Sequence, residues 1–349
     1  MARGSFGTGA LEKMHISPAL LSTVRLVGEY KGRQDLYRRT APAVLDTLVQ
    51  VARIQSVESS NRIEGITAVP PRLKALMEQK TAPRNRSEAE IVGYRDVLDT
   101  VHTSAIDMPF TPGLVLQLHR DMCRYAPDPG GRWKTADNSI EEEAADGTRR
   151  IRFTPVRAFQ TADAMDALHL GLDRARLAGE VDPLLLASAY CLDFLCIHPF
   201  LDGNGRMSRL LTLVLLYRDG YEVGRYVSLE KLIEDTRESY YEELEASSAG
   251  WHEGQHDLRP WVEYSMGIVL AASRELEARV DAVAGARGAK REMVVDCIQR
   301  LPSEFSIADI ERVCPHVSRP TINRVLRDLR RDGRLQATRG RDARWTKLS

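Results

Sequence analysis

The stretch His198-Pro199-Phe200-Leu201-Asp202-Gly203-Asn204-Gly205-Arg206-Met207-Ser208-Arg209 separates two apolar runs of the chain. Before it, residues 184–197 carry apolar side chains at helical spacing. After it, 206–217 read as a second helix, closed by Asp219-Gly220. A glycine-rich turn that opens a helix leaves backbone N–H groups pointing outward, and with the helix dipole they form an anion site. The glycines let a phosphate approach the backbone closely. Arg206 and Arg209 lie three apart, so they are expected to share a helix face beside that site, and guanidinium groups suit phosphate oxygens. Asp202 is placed to hold a Mg²⁺ bridging phosphates. A neutral imidazole at His198 can take a proton from an attacking hydroxyl. Base, metal ligand, anion cradle and two arginines fall within 12 residues, a constellation suited to phosphate transfer.

Other readings of the turn fit less well. A Walker loop needs a Lys after its last Gly, and none is present. The kinase elements HRD and DFG are absent. An EF-hand accommodates Asp202 and Asn204 but needs Glu where Leu213 stands. A plain interhelical turn accounts for the glycines, not for His198, Asp202, Arg206 and Arg209 together.

The stretch resembles the signature of the Fic (filamentation induced by cAMP) family, H-x-F-x-D/E-G-N-G-R-x-x-R, at every fixed position, and with its flanks the resemblance covers roughly 44–270. It implies a helical catalytic core and transfer of AMP from ATP to a Ser, Thr or Tyr hydroxyl. It makes His198 the general base, Phe200 the loop anchor and Asp202 the Mg²⁺ ligand. It assigns ATP binding to Gly203, Asn204, Gly205, Arg206, Met207, Ser208 and Arg209, with Gly203, Asn204 and Gly205 cradling the α- and β-phosphates, Arg206 contacting phosphate and Arg209 taking the γ-phosphate. Two strand-like runs between 133 and 156, around Asp146-Gly147, resemble the family's flap, which aligns a target segment by strand addition; Asn138, Ser139 and Ile140 would lie in its first strand. Tyr240 and Tyr241, with Leu244 after them, resemble the pair lining the adenine side. Ser60-Asn61-Arg62-Ile63-Glu64-Gly65 resembles the inhibitory motif of autoinhibited members, in which Glu64 would pair with Arg209 and keep it from ATP. The same six residues also read as a helix end with a glycine stop.

Elsewhere the pattern is mostly helical, with apolar spacing at 44–54, 88–101, 114–123 and 162–177. A long charged helix is expected over 260–280, followed by an Ala/Gly-rich linker at 283–288. From Ser318 to the end there are 10 Lys/Arg against 3 Asp/Glu, although the whole chain balances 49 against 49. Helices over 291–301 and 306–313, a third over 319–331 capped by Ser318 with Pro320 in its first turn, and strands at 335–338 and 344–347 around Arg339-Gly340-Arg341 resemble a winged helix-turn-helix domain. That domain's third helix would contact DNA; a protein-docking module is the other reading.

The five cysteines, Cys123, Cys191, Cys196, Cys297 and Cys314, are odd in number and form no CxxC pair, so reduced thiols in a cytoplasmic protein are expected. Residues 1–10 lack an apolar signal core, and no apolar stretch is long enough to span a bilayer. The expected fold is mainly α: a Fic-type helical bundle with a β-hairpin flap and a small C-terminal winged helix-turn-helix domain. Its parts are 1–110 with the inhibitory motif, 111–282 as catalytic core, and 283–349 as linker and terminal domain. The expected function is a protein adenylyltransferase using ATP and Mg²⁺, autoinhibited by Glu64. Open alternatives are a DNA-binding regulator whose Fic core senses nucleotide, and a Fic-type de-adenylylase or other phosphate-group transferase. Self-modification, a homodimer and DNA contact through 319–347 are compatible partner readings; the target protein is unspecified.

Overall fold

Prolines mark where helices begin. Pro18, Pro42, Pro70, Pro112 and Pro183 each sit in a first turn, where the missing N–H is no loss and φ is already helical. The computed structural model describes residues 4–7, 9–143, 149–285, 289–315, 317–337 and 344–348. The order is α1 (Gly4–Gly7), α2 (Ala10–Lys13), α3 (Pro18–Thr40), α4 (Pro42–Ile63), α5 (Pro70–Met77), α6 (Arg86–Ser104) and α7 (Pro112–Met122). The hairpin β1 (Ile140–Glu143) and β2 (Arg149–Phe153) follows, then α8 (Thr161–Ala178), α9 (Pro183–Ile197), α10 (Asn204–Arg218), α11 (Leu229–Asp235), α12 (Arg237–Ser248) and α13 (Arg259–Gly285). A C-terminal unit adds α14 (Ala289–Arg300), β3 (Glu304–Phe305), α15 (Ile307–Val313), α16 (Arg319–Arg331), β4 (Leu335–Ala337) and β5 (Trp345–Lys347).

The axis of the bundle is α9. Its residues from Leu184 to Ile197 are all buried, as expected of a helix apolar on every side. α8, α10, α12 and α13 pack around it, while α4 lies against α6 and α11. One continuous core runs from Leu11 to Val280. Residues 1–110 and 111–282 therefore share a single interior. A separate core, from Val294 to Trp345, belongs to the C-terminal unit. No helix is long and apolar enough to cross a membrane among the described residues.

In the C-terminal unit the expected strands appear as β4 and β5, and the two-residue β3 joins them in the antiparallel order β3-β5-β4. The turn at Arg339-Gly340-Arg341 lies outside the described residues, as do residues 144–148 at the flap tip and 286–288 of the linker. The expectation of reduced thiols fails for one pair. Cys297 on α14 and Cys314 just beyond α15 face each other in the small core and are bonded; Cys123, Cys191 and Cys196 are free.

Candidate active site

α9 ends at His198, which adopts a left-handed conformation (φ 51°). That turn swings the imidazole off the helix. Its Nδ1 lies 3.3 Å from the carbonyl of Leu195, an acceptor only, so Nδ1 carries the proton and Nε2 keeps its lone pair. Burial pushes the His198 pKa down to about 4 despite the Leu195 hydrogen bond, with Lys134 adding to the fall and Glu64 opposing it. The ring is therefore neutral at pH 7.

The loop after His198 is held rigidly. Phe200 is fully buried and stacks on His119 with centroids 3.6 Å apart. The Asn204 side chain staples the turn: its Oδ1 accepts from Phe200 N at 2.9 Å and its Nδ2 donates to Phe200 O at 2.8 Å. Gly203 takes φ 82° at the N-cap of α10, a region open to glycine. A Cβ there would also strike the Met122 side chain at 2.7 Å.

His198, Gly205 and Arg209 line one cavity of about 470 Å³, together with Glu64, Ile140, Phe153, Tyr240 and Tyr241. On one wall Arg209, 4% exposed, donates from Nη2 to Glu64 Oε1 at 2.8 Å. Its Nε reaches Ser60 Oγ at 2.8 Å and its Nη2 also reaches Ser60 O at 2.9 Å. Burial disfavours the guanidinium charge, but Glu64, Tyr240 and Tyr94 together outweigh it and the pKa is raised. Glu64 is the C-cap of α4, and Gly65 after it has φ 77°, so the stop of that helix and the pairing to Arg209 coexist. The same carboxylate presses on the first turn of α10, where a Cβ on Gly205 would lie 2.3 Å from Glu64 Oε1. It thus stands at a helix N-terminus, where an anion is favoured.

Asp202 and Arg206 do not line this cavity. They border a neighbouring cleft of about 230 Å³ with Arg86, Glu90 and His119. Arg206 binds Glu90 at 2.7 Å, and Asp202 binds Arg86 at 2.9 Å. Arg206 and Arg209, about 60° apart on α10, have different partners: Arg206 pairs with Glu90 on α6, and Arg209 with Ser60 and Glu64 at the end of α4. Asp202 is 64% exposed and is the carboxylate of the loop. Among the described residues no group of three or more His, Cys, Asp or Glu side chains is arranged to hold a metal.

Of the expected adenine pair, Tyr240 is buried against Trp261 and Tyr264, and Tyr241 is half-buried at the rim. Of Asn138, Ser139 and Ile140, only Ile140 lies in β1. The reason is local: the Asn138 amide donates to Phe200 O at 3.2 Å and accepts from Lys134 Nζ at 2.8 Å, fixing the chain before pairing begins. Met207 and Ser208 are buried in α10. Sequence reasoning missed Lys134, whose Nζ also donates to Ile197 O at 3.2 Å and whose N–H donates to Pro199 O at 2.8 Å. Burial pulls its pKa down to about 8. It missed Arg152 and Arg237 as well, which flank the Tyr241 ring at 5.5 and 5.7 Å. Arg152 falls in the second of the strand-like runs around Asp146-Gly147; nothing local signalled Lys134.

A glycine turn between two buried helices thus opens on a cavity lined by a neutral histidine and a buried arginine. Residues 109–216 match the family described as Fic/DOC. The chain is 25% identical over 238 residues to the "Protein adenylyltransferase Fic" of Nematostella vectensis, covering 66% of this chain and 49% of that protein. It is 28% identical over 213 residues to "Protein adenylyltransferase fic-1" of Caenorhabditis elegans, covering 58% and 37%. It thus spans half or less of the length of these curated relatives. A Fic family protein from Desulfovibrio desulfuricans G20 shares the fold, with TM-score 0.63 at 23% identity over 96% of this chain and 97% of that one.

Proposed function

We propose that the protein transfers AMP from ATP to a protein hydroxyl, and that the pairing of Glu64 with Arg209 holds the site off. The observation that carries this reading is His198: a neutral imidazole whose Nδ1 is turned to Leu195 O, leaving the Nε2 lone pair to act as base, and which lines the same cavity as the α10 N-terminus and Arg209. The target hydroxyl oxygen forms a bond to the α-phosphorus while the bond to pyrophosphate breaks, and the hydroxyl proton passes to His198 Nε2. The N–H groups of the α10 first turn and Arg209 face the phosphates. Asp202, once released from Arg86, would be the residue to hold Mg²⁺, and the ion would supply charge neutralisation of the phosphates. Among the described residues β1 pairs only with β2, and its other edge, with Ile140 lining the cavity, suits an added target strand. Tyr240 and Tyr241 would bound the adenine. The relatives named protein adenylyltransferases support the same assignment.

The test is incorporation of labelled AMP, into the protein itself or a lysate, by wild type, Glu64→Gly and the double variant Glu64→Gly/His198→Ala. The single variant is expected to incorporate more than wild type, and the double variant none. Equal labelling by all three sinks both the base and the brake.

A further inference from the structure

We propose that the outer face of α16 binds duplex DNA through the major groove. The charge of the C-terminal unit is divided in space. Residues 289–317 carry 4 Lys/Arg and 5 Asp/Glu, whereas 318–349 carry 10 and 3. α16 is where that excess becomes a surface. Its inner stripe, Ile322, Val325, Leu326 and Leu329, is buried against α14, α15 and β4. The opposite side exposes Arg319, Arg324, Arg327, Arg330 and Arg331.

Few of these charges are engaged. Arg319 meets Glu311 at 3.5 Å and Arg331 meets Asp328 at 3.5 Å, both exposed contacts of small worth. Arg324, Arg327 and Arg330 pair with no carboxylate among the described residues. Such a cluster on one helix repels itself and is relieved by a polyanion.

The shape selects which polyanion. A helix of 13 residues is about 20 Å long and enters the major groove of B-form DNA, about 12 Å wide. Duplex RNA has a major groove too narrow for side chains to read. A lipid surface needs apolar side chains to insert beside the basic ones, and every apolar residue of the α16 stripe faces inward. The remainder of the chain carries 39 Lys/Arg against 46 Asp/Glu, so DNA is repelled from most of the surface and directed to this face. Arg319, Asn323 and Arg324 stand in the N-terminal half of α16, from which base edges are read in helix-turn-helix proteins.

The test is fluorescence anisotropy of the full chain with a labelled mixed-sequence DNA duplex, and separately with RNA of the same sequence, between 50 and 200 mM salt. Binding is expected in the micromolar range, with log K falling linearly against log salt at a slope of about −4 to −6, for roughly five to seven phosphates. The double variant Arg324→Glu/Arg327→Glu, whose side chains are exposed and not part of the core, should weaken binding at least tenfold and flatten the slope by about 2. Arg25→Glu on α3 should change neither, and matching thermal melts verify folding. Absence of salt-dependent DNA binding, equal affinity for duplex RNA, or an unaffected double variant overturns the proposal.

Discussion

Replacing Glu64 by Gly tests the proposed role of the Glu64–Arg209 pair through stability as well as activity. Arg209 is 4% exposed, and Glu64 is its carboxylate partner at 2.8 Å. The variant leaves the guanidinium with the neutral acceptors Ser60 Oγ and Ser60 O. Breaking a buried ion pair costs about 3–5 kcal/mol, because the remaining charge is uncompensated. Glu64 is 31% exposed, so water and the Ser60 acceptors reduce the cost to about 2 kcal/mol. For a unit of this size that lowers Tm by roughly 4 °C. ATP should recover the loss, since its phosphates replace the carboxylate; at about 100 times Kd a ligand adds about 2.7 kcal/mol. Wild type should gain less from the same ATP, because binding must first displace Glu64. Differential scanning fluorimetry with and without ATP, beside AMP incorporation, reads both effects. An unchanged melt of the apo variant, with no larger ATP shift than wild type, refutes the view that Glu64 is the counter-charge of Arg209.

If the proposed AMP transfer holds, its pH dependence in Glu64→Gly follows from the His198 environment. With its pKa at about 4, the base is neutral across pH 6–8, so kcat/KM should show no acid limb of histidine origin there; a limb centred near 6.5 would show a solvated ring. Stability behaves differently. Burial sets His102 to about 3 and His119 to about 4, while unfolded histidine titrates near 6.5. Between about pH 4 and 6.5 the unfolded chain binds more protons, so stability falls as pH falls, by up to about 1.4 kcal/mol per pH unit for each histidine. Denaturant melts at pH 7 and 5 measure it, and equal midpoints contradict it. Phe200→Ala should cost about 3–5 kcal/mol and release the loop that Asn204 and His119 hold, so labelling should vanish even with Glu64 absent; retained labelling would show that the loop does not depend on its anchor.

What could be read from the sequence was mostly local. The glycine turn, its flanking helices and the stretch 319–331 follow from residues within one or two turns of each other, and the structure returns α16 at those bounds. The Glu64–Arg209 contact, 145 residues apart, was readable only through the resemblance. Orientation was not readable. Arg206 and Arg209 differ by three positions, about 60° around the helix, and partners on other elements decide their directions. Asn204 looked like part of a phosphate cradle, yet its side chain is turned inward to Phe200. Lys134 gave no signal because its partner, Ile197 O, meets it only in the folded chain. The two-residue β3 exists through its pairing with β5, and Cys297 meets Cys314 only because α14 and α15 pack together.

The carboxylate of Glu64 is tethered to the end of α4 beside the N-terminus of α10. A tethered group competes at a fixed effective concentration, commonly millimolar or more, and cannot be diluted away. Under the proposed function, free nucleotide would oppose it by mass action alone, moving the balance tenfold for each tenfold rise in concentration. Displacing the last turn of α4 removes the competitor altogether. Under the proposed function, a cavity closed in this way would answer the supply of its nucleotide only in proportion, and would open fully when a helix is displaced.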